Sequence, residues 1–293
     1  MWQDAFSDRL VRDQRLSELT TVRVGGPARC LVRPRDDADV GLLLEALHRE
    51  GVASRVLGGG SNLLAPDGGV DGVVIHPSSL TDFRVEGERI HVGAGLPLAT
   101  LVSRANDAGL AGAHVLAGIP GQTGGAIVMN AGGRYGEIAE IVETVHLRLA
   151  DGDAVSLDPA EVSFAYRSTL LPVGAVVTGA VLRLRALADR RALKRESGRI
   201  QKEKNRAQPT TRFSFGCMFK NPPGASAGVL IERAGLKGHA VGGARISPLH
   251  GNFVENLGEA RAADIRALMA VATEKVVEML GVRLEPEVRV WPD

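Results

Sequence analysis

The stretch VLGGGSNLL (residues 56–64) decides how the chain is read. An apolar run enters three consecutive glycines, Gly58, Gly59 and Gly60, and leaves through Ser61 and Asn62. Glycines placed after a strand let the backbone approach a bound group closely and aim several N–H groups at it. Phosphate is held in this way without a cationic side chain. The loop is not a Rossmann fingerprint, because Asn62 and Leu63 follow where a third glycine would stand, and it is not a P-loop, because no Gly-Lys-Ser/Thr follows. A tight turn that needs positive φ would use the same letters. A second loop, GIPGQTGGAIVMNAGG (residues 118–133), is too rich in glycine for a regular element and too apolar for a disordered linker. Two such loops in one domain fit a dinucleotide lying across it, with Gly118 to Gly125 lining a flat ring.

The remaining composition bounds the answer. A length of 293 residues allows two domains, on the usual size of roughly 100–200 residues each. Hydrophobic residues at 44% and charged residues at 24% are ordinary for a globular chain. A net charge of +1 gives no bulk attraction to nucleic acid or an anionic membrane, so neither partner is expected. The N-terminus MWQDAFSDRL does not read as a secretory signal. No stretch reaches the roughly 20 apolar residues of a membrane helix. Cys30 and Cys217 are the two cysteines, far apart and without a CxxC pair, so neither a disulfide scaffold nor a metal site is expected. A reduced, cytoplasmic setting is the simplest reading.

Periodicity predicts an α+β chain. Residues 36–51 read as a helix with Asp36 or Asp37 as cap, a Val40/Leu43/Leu44/Leu47 stripe and Gly51 at its end. Residues 96–110 read as another helix, with Pro97 near its start and Gly109 past its end. Short strands are expected at 29–36, 54–57, 71–77, 88–95 and 174–187, and a hairpin at 140–157 turning at Asp151–Gly152. From Ala188 the composition shifts to a charge-dense helix stopped by Pro209, which places a domain boundary near 187. Two further helices, at 226–238 (Ser226 as cap) and 263–281, precede a last strand in RLEPEVRVW (residues 283–291).

Candidate chemistry lies outside the glycine loops as well. In FAYRSTLL (residues 164–171), Arg167 is either a surface charge whose stem lies over the core or a planar fork for a carboxylate or enolate. Glu285, Glu287 and Arg289 alternate, so one strand would present all three on one face. They read equally as a solvated edge. His250 reads as a structural hydrogen-bonder or a catalyst, the first more often for a lone histidine. The basic run from Arg190 to Arg206 reads as a solvated helix face or a nucleotide-phosphate clamp. In SFGCMFKNP (residues 214–222), Lys220 and Asn221 sit on a short segment between elements, a common place for ligand contacts, and Cys217 reads as a small core hydrophobe or a reactive thiol.

Seven motifs occur in order between Thr20 and Arg289: TTVRVGGPA, LGGGSNLL, GIPGQTGGAIVMNAGG-YGE, YRSTLL, FKNP, SPLHGNFVEN and LEPEVR. In this order the chain resembles the UDP-N-acetylenolpyruvoylglucosamine reductase family of peptidoglycan precursor synthesis, in the shorter type that lacks an extra substrate-covering loop. The resemblance implies an FAD-binding domain of the vanillyl-alcohol-oxidase type, made of two α+β subdomains, plus a smaller α+β substrate-binding domain. The corresponding division is 1–187 (subdomains meeting near 80), 188–284, and 285–293 as a strand returning to the FAD domain. It implies tight, non-covalent FAD. Gly58, Gly59, Gly60, Ser61 and Asn62 would hold the pyrophosphate, and Gly118, Ile119, Pro120, Gly124, Gly125 and Tyr166 would lie at the flavin. NADPH is the implied co-substrate, the enolpyruvyl ether of UDP-N-acetylglucosamine the implied substrate, and a monomer the expected state.

The implied reaction adds a hydride to the terminal enolpyruvyl carbon and a proton to its neighbour. A site for it needs stabilisation of negative charge and one proton donor. By resemblance, Arg167 takes the activating position and Glu287 the acid position, with Glu285 as second choice. Lys220, Asn221, His250 and Arg289 would line the substrate site. Many members carry serine where this chain has Cys217. An ordinary thiol, with a pKa of about 8.5, yields its proton more easily than a hydroxyl, so Cys217 is the expected proton donor. One alternative is another FAD oxidoreductase of the same fold acting on a hydroxy acid or sugar, which has no need of Arg167, Cys217 and Glu287 together. A non-catalytic nucleotide-binding module is another.

Overall fold

A computed structural model describes residues 1–209 and 213–292. The chain forms two compact units: residues 1–12, 30–59 and 72–202 make the first, and residues 13–29, 60–71 and 203 onward make the second.

In the first unit, the helix Asp37–Arg49 begins where Asp36 accepts the Asp39 N–H at 2.8 Å, satisfying a donor that the helix itself leaves open. Its Val40, Leu43, Leu44 and Leu47 are buried with Val32, Val73 and Ile75. Each such side chain contributes roughly 1.5–3 kcal/mol relative to exposure. The adjoining four-stranded sheet has the order Leu10–Arg15, Pro27–Val32, Val70–Ile75, Ser54–Val56, the last two parallel. A second, antiparallel sheet runs Ala154–Leu157, Val142–Arg148, Val176–Arg183, Arg89–Gly93, Phe83–Glu86. The helix Leu98–Ala108 packs its Leu101, Val102 and Ala105 into the core of this sheet. It stops at Gly109, which takes the left-handed conformation at φ +76°.

One expectation is corrected here. The segment 118–133 contains a regular element after all, the six-residue helix Thr123–Val128. Ala126 and Ile127 are buried, and the Thr123 and Gly124 N–H groups donate to Leu96 O and Ala94 O at 3.0 and 2.8 Å. That anchoring outweighs the roughly 1 kcal/mol each that glycine costs inside a helix. The chain passes from the first compact unit to the second after Lys202. In the helix Arg190–Ala207, Leu193, Ser197 and Ile200 are buried, Ile200 in the core of the second sheet, and Asn106 Nδ2 donates to Ser197 Oγ at 3.0 Å. Composition changes at 188 because one face of this helix is solvated, while its narrow apolar stripe keeps it in the first unit as far as Lys202.

The second unit gathers the helices Ala227–Arg233 and Ala262–Leu280 and a three-stranded antiparallel sheet, ordered Ala240–Val241, Ala244–Ile246, Val254–Asn256. Its core also includes Val22, Val24 and Leu64, from segments far upstream in sequence. Arg289–Val290 pairs in parallel with Leu63–Leu64, the residues that follow the glycine turn. The expected strand through 285–289 is only these two residues long, because Pro286, which has no N–H to give a ladder, sits in an isolated bridge to Phe219. Glu285, Glu287 and Arg289 therefore share no strand face.

His76, directly after Val70–Ile75, is buried, and its Nδ1 lies 2.8 Å from Leu57 O at the mouth of the glycine turn. Burial, aided by the nearby Arg33, holds its pKa below the usual histidine value, although the Leu57 bond opposes the shift. His146 and His250 are lowered too, each first by burial. The unfolded chain takes up protons near pH 6.5 that the native histidines exclude, so this stability is complete above that pH and is lost as pH falls below it. Melting temperature is expected to decline from about pH 6.5 downward, and His76→Asn, which keeps a donor toward Leu57, to flatten the decline. An identical pH slope in wild type and variant would remove His76 from this account.

Candidate active site

The glycine turn is braced from both sides in sequence. Leu57 is fixed by its N–H to Ile75 O at 2.9 Å and by His76. A side chain on Gly59 would come within 2.9 Å of Gly121 Cα, so the two glycine loops of the first unit touch backbone to backbone. Gly60 stands at φ +61°, and a Cβ there would lie 2.8 Å from Thr20 Cα, so only glycine fits. Thr21 N–H donates to Gly60 O at 3.0 Å. Asn62 is engaged by side chain and backbone: Nδ2 donates to Glu287 O at 3.2 Å, and its backbone carbonyl accepts from Arg289 N–H at 3.1 Å. Asn62 thus fastens the turn to the C-terminal segment rather than presenting its whole amide to a ligand.

The N–H groups of Gly58, Gly59 and Gly60 donate to no acceptor among the described residues. Gln122 Oε1 is buried without a hydrogen-bond partner there, 3.7 Å from where a Gly58 Cβ would stand. Around Gly125 no heavy atom lies within 4 Å of the Cβ position. Orphaned donors, an orphaned buried acceptor and an open glycine face are what a dinucleotide with a planar ring would use. Gly118 turns the approaching chain at φ +73°, Ile119 N–H bonds back to Leu116 O at 3.1 Å, and Pro120 follows.

Arg167 also belongs to the first unit. It holds φ +57°, rare for a bulky side chain. Its side chain is only 16% exposed; Nη2 donates to Gly132 O at 2.8 Å, and Nη1 lies 3.7 Å from Glu137 Oε1. The guanidinium sits 5.1 Å from the centre of the exposed Tyr166 ring. Arg167 is thus a half-enclosed, oriented cation, not a surface charge.

In the second unit the Cys217 segment is held on two sides. Cys217, half-buried, bridges to Phe253, and Met218 N–H donates to Asn252 O at 2.8 Å. The buried Asn252 amide accepts Phe219 N–H at 3.0 Å and donates to Phe219 O at 2.7 Å. From the other side, Glu287 N–H donates to Met218 O and Lys220 N–H to Glu285 O, both at 2.8 Å. The backbones of Cys217 and Glu287 are thereby brought to adjoining positions. Glu285 is 70% exposed and pairs with Lys220 Nζ at 2.6 Å, whereas Glu287 is half-buried. Asn221 Oδ1 accepts the Ala227 N–H at 2.9 Å, capping a helix that Ser226 does not cap with its side chain. His250 is turned inward: Nδ1 accepts Asn252 N–H at 3.2 Å and the ring meets Phe253 edge-on at 4.7 Å. Burial pushes its pKa below the usual histidine value, against a backbone hydrogen bond that raises it, and Lys237 nearby adds to the lowering. Arg289 is exposed at the pairing with Leu63.

Gln122, Asn130, Glu137 and Asn252 were given no role by sequence reading. Asn130 and Glu137 stand within the quoted MNAGG-YGE run, and that spacing was the one available signal.

Residues 28–158 match the model of an FAD binding domain, and residues 208–291 that of the UDP-N-acetylenolpyruvoylglucosamine reductase C-terminal domain. A UDP-N-acetylenolpyruvoylglucosamine reductase of Anaeromyxobacter sp. (strain Fw109-5) is 46% identical over 282 residues, covering 96% of this chain and 88% of that one. One from Desulfosudis oleivorans is 42% identical over 299 residues, covering 97% and 95%. The crystal structure of UDP-N-acetylenolpyruvylglucosamine reductase (MurB) from Thermus caldophilus aligns with a TM-score of 0.84 and 41% identity, over 97% of this chain and 99% of that one. A berberine bridge enzyme variant, 14% identical with a TM-score of 0.52 over 64% of this chain and 43% of its own, shares the fold over that span. With relatives of this identity over almost its whole length, the chain belongs to the UDP-N-acetylenolpyruvoylglucosamine reductase family.

Proposed function

We propose that this protein reduces the enolpyruvyl ether of UDP-N-acetylglucosamine to UDP-N-acetylmuramate in peptidoglycan precursor synthesis, with FAD as cofactor and NADPH as reductant. The observation that carries this reading is the 46% identity to a named reductase over 96% of the chain, with both family models matched. FAD supplies hydride transfer from NADPH to the terminal carbon of the substrate. The Gly58–Asn62 turn and the Gly118–Gly125 loop are the residues that would hold it, the first through backbone N–H groups at the pyrophosphate, the second, with Tyr166, along the flavin. The first unit thus carries most of the FAD-binding role and the second the substrate-binding role.

Hydride addition leaves negative charge on the carbon next to the substrate carboxylate. Arg167, already oriented by Gly132 O and Glu137, stabilises that charge through a planar guanidinium suited to a carboxylate. Cys217 delivers the proton to that carbon and regains one from solvent. Glu287 takes the acid position in preference to Glu285, whose carboxylate is engaged by Lys220. Lys220 and Arg289 contact the charged parts of the substrate. Asn221 and His250 line the same site through groups other than Asn221 Oδ1 and His250 Nδ1, which hold the helix cap and the Asn252 turn. The reading places the reaction in the cytoplasm, where NADPH is supplied, and in a monomer.

Two measurements test it. Purified protein is expected to be yellow, to be bleached by NADPH without oxygen, and to regain its colour on addition of the enolpyruvyl UDP-sugar. Recovery with oxygen or a hydroxy acid alone would favour an oxidase of the same fold. In stopped flow, Cys217→Ala is expected to slow substrate-driven flavin reoxidation by roughly 10²- to 10⁴-fold, with reduction by NADPH within about twofold of wild type. Cys217→Ser should lie between the two. Wild-type reoxidation in the alanine variant would end the proton-donor role.

A further inference from the structure

The Arg167 guanidinium is held by groups that are themselves held. Asn130 is 2% exposed and stands at φ +41°. Its Nδ2 donates to Glu137 Oε2 at 2.7 Å and to Ala165 O at 3.1 Å. Its Oδ1 accepts the Ala139 N–H at 3.3 Å. One buried amide therefore joins the loop that carries Arg167 to the carboxylate that faces Arg167. Glu137 is fixed from a second side, as N-cap of the turn Ile138–Glu140 in a reciprocal capping box. Its N–H accepts no freedom either, donating to Glu140 Oε1 at 2.9 Å. Thr169 Oγ1 ties the far side of the loop to Val128 O at 3.0 Å.

We infer that Asn130 and Glu137 are positioning residues for Arg167, setting its guanidinium through the Ala165 carbonyl and the Glu137 carboxylate. The inference rests on the proposed role of Arg167. A positive φ at an arginine is unfavourable by itself and persists only where surrounding bonds impose it. Here the Asn130 bond to Ala165 O lies two residues before Arg167, and the Glu137 carboxylate lies at the end of its side chain. Asparagine suits position 130 on two counts: it tolerates the left-handed backbone, and one amide supplies both the donors and the acceptor that the network needs. Aspartate would set a second carboxylate against Glu137 and could not donate to Ala165 O.

The test uses holoenzyme of Asn130→Gly, Asn130→Asp, Arg167→Ala and the Asn130→Gly/Arg167→Ala pair. Glycine keeps the positive φ, so N130G removes the amide without adding backbone strain. N130G and N130D are expected to bind FAD and react with NADPH within about twofold of wild type, and to slow reoxidation by the enolpyruvyl substrate roughly 10- to 100-fold, the scale of a misplaced catalytic group. In the R167A background, N130G is expected to cause no further slowing, because a positioning residue has nothing left to position. The inference is overturned if either single variant reoxidises at the wild-type rate, if N130G slows R167A by the same factor as wild type, or if N130D weakens FAD binding along with reoxidation. A wild-type rate in R167A would instead overturn the role of Arg167 on which the inference stands.

Discussion

A turn of three glycines has no side chains with which to hold itself, so every restraint on it comes from neighbours. This constraint organises the polypeptide around residues 57–64. His76 fixes Leu57, the Thr20–Thr21 backbone presses on Gly60, and Asn62 exchanges hydrogen bonds with Glu287 and Arg289. Backbone conformational freedom costs roughly 1–2 kcal/mol per residue to remove, and glycine has the most to lose. A surface hairpin would not retain such a turn. Bonds to residues 225 positions away in sequence do, and they leave the N–H groups of Gly58 to Gly60 without acceptors among the described residues.

The same economy appears at Cys217. A thiol proposed to meet one carbon of a substrate needs fixed placement, yet its segment is neither helix nor regular strand. Isolated bridges to Phe253 and Pro286 and a row of backbone bonds to Asn252, Glu285 and Glu287 fix it instead. Each bond contributes about 1 kcal/mol net, and together they determine which way residue 217 faces. The placement is a property of the backbone and not of the sulfur, so a serine at 217 would be held in the same position. What changes between them is acidity.

Sequence was legible where local rules act. The stripe Val40/Leu43/Leu44/Leu47, the Asp36 cap and the left-handed Gly109 all follow from neighbours within four residues. The glycine loops and Arg167 stood out because their chemistry is unusual for their surroundings. Long-range partners were not legible. Nothing near Asn221 shows that its amide caps the helix at Ala227, nor near His250 that its ring turns inward onto Phe253. The helix at Thr123 was hidden for the opposite reason: its glycines obey local propensity, and the burial of Ala126 and Ile127 overrides it. The composition shift at 188 reflects the charges of one helix face, whereas Leu193, Ser197 and Ile200 on the other face decide where that helix packs.

Two buried asparagines recur at the irregular segments that hold the candidate residues, Asn130 beside the Arg167 loop and Asn252 beside Cys217, each 2% exposed. The coincidence has a physical basis. A carboxamide carries the same donor and acceptor as a peptide group on a short stem, so it can complete a backbone pairing where no second strand is available. Asn252 does so literally, accepting the N–H and donating to the C=O of the same residue, Phe219. Aspartate would lack the donor and would bring a buried charge, and leucine would leave two backbone groups unpaired, each at about 1–3 kcal/mol. Reactive segments in this fold stay irregular because a loop can aim a side chain that a ladder would turn away. They stay rigid because a side-chain amide stands in for the missing strand.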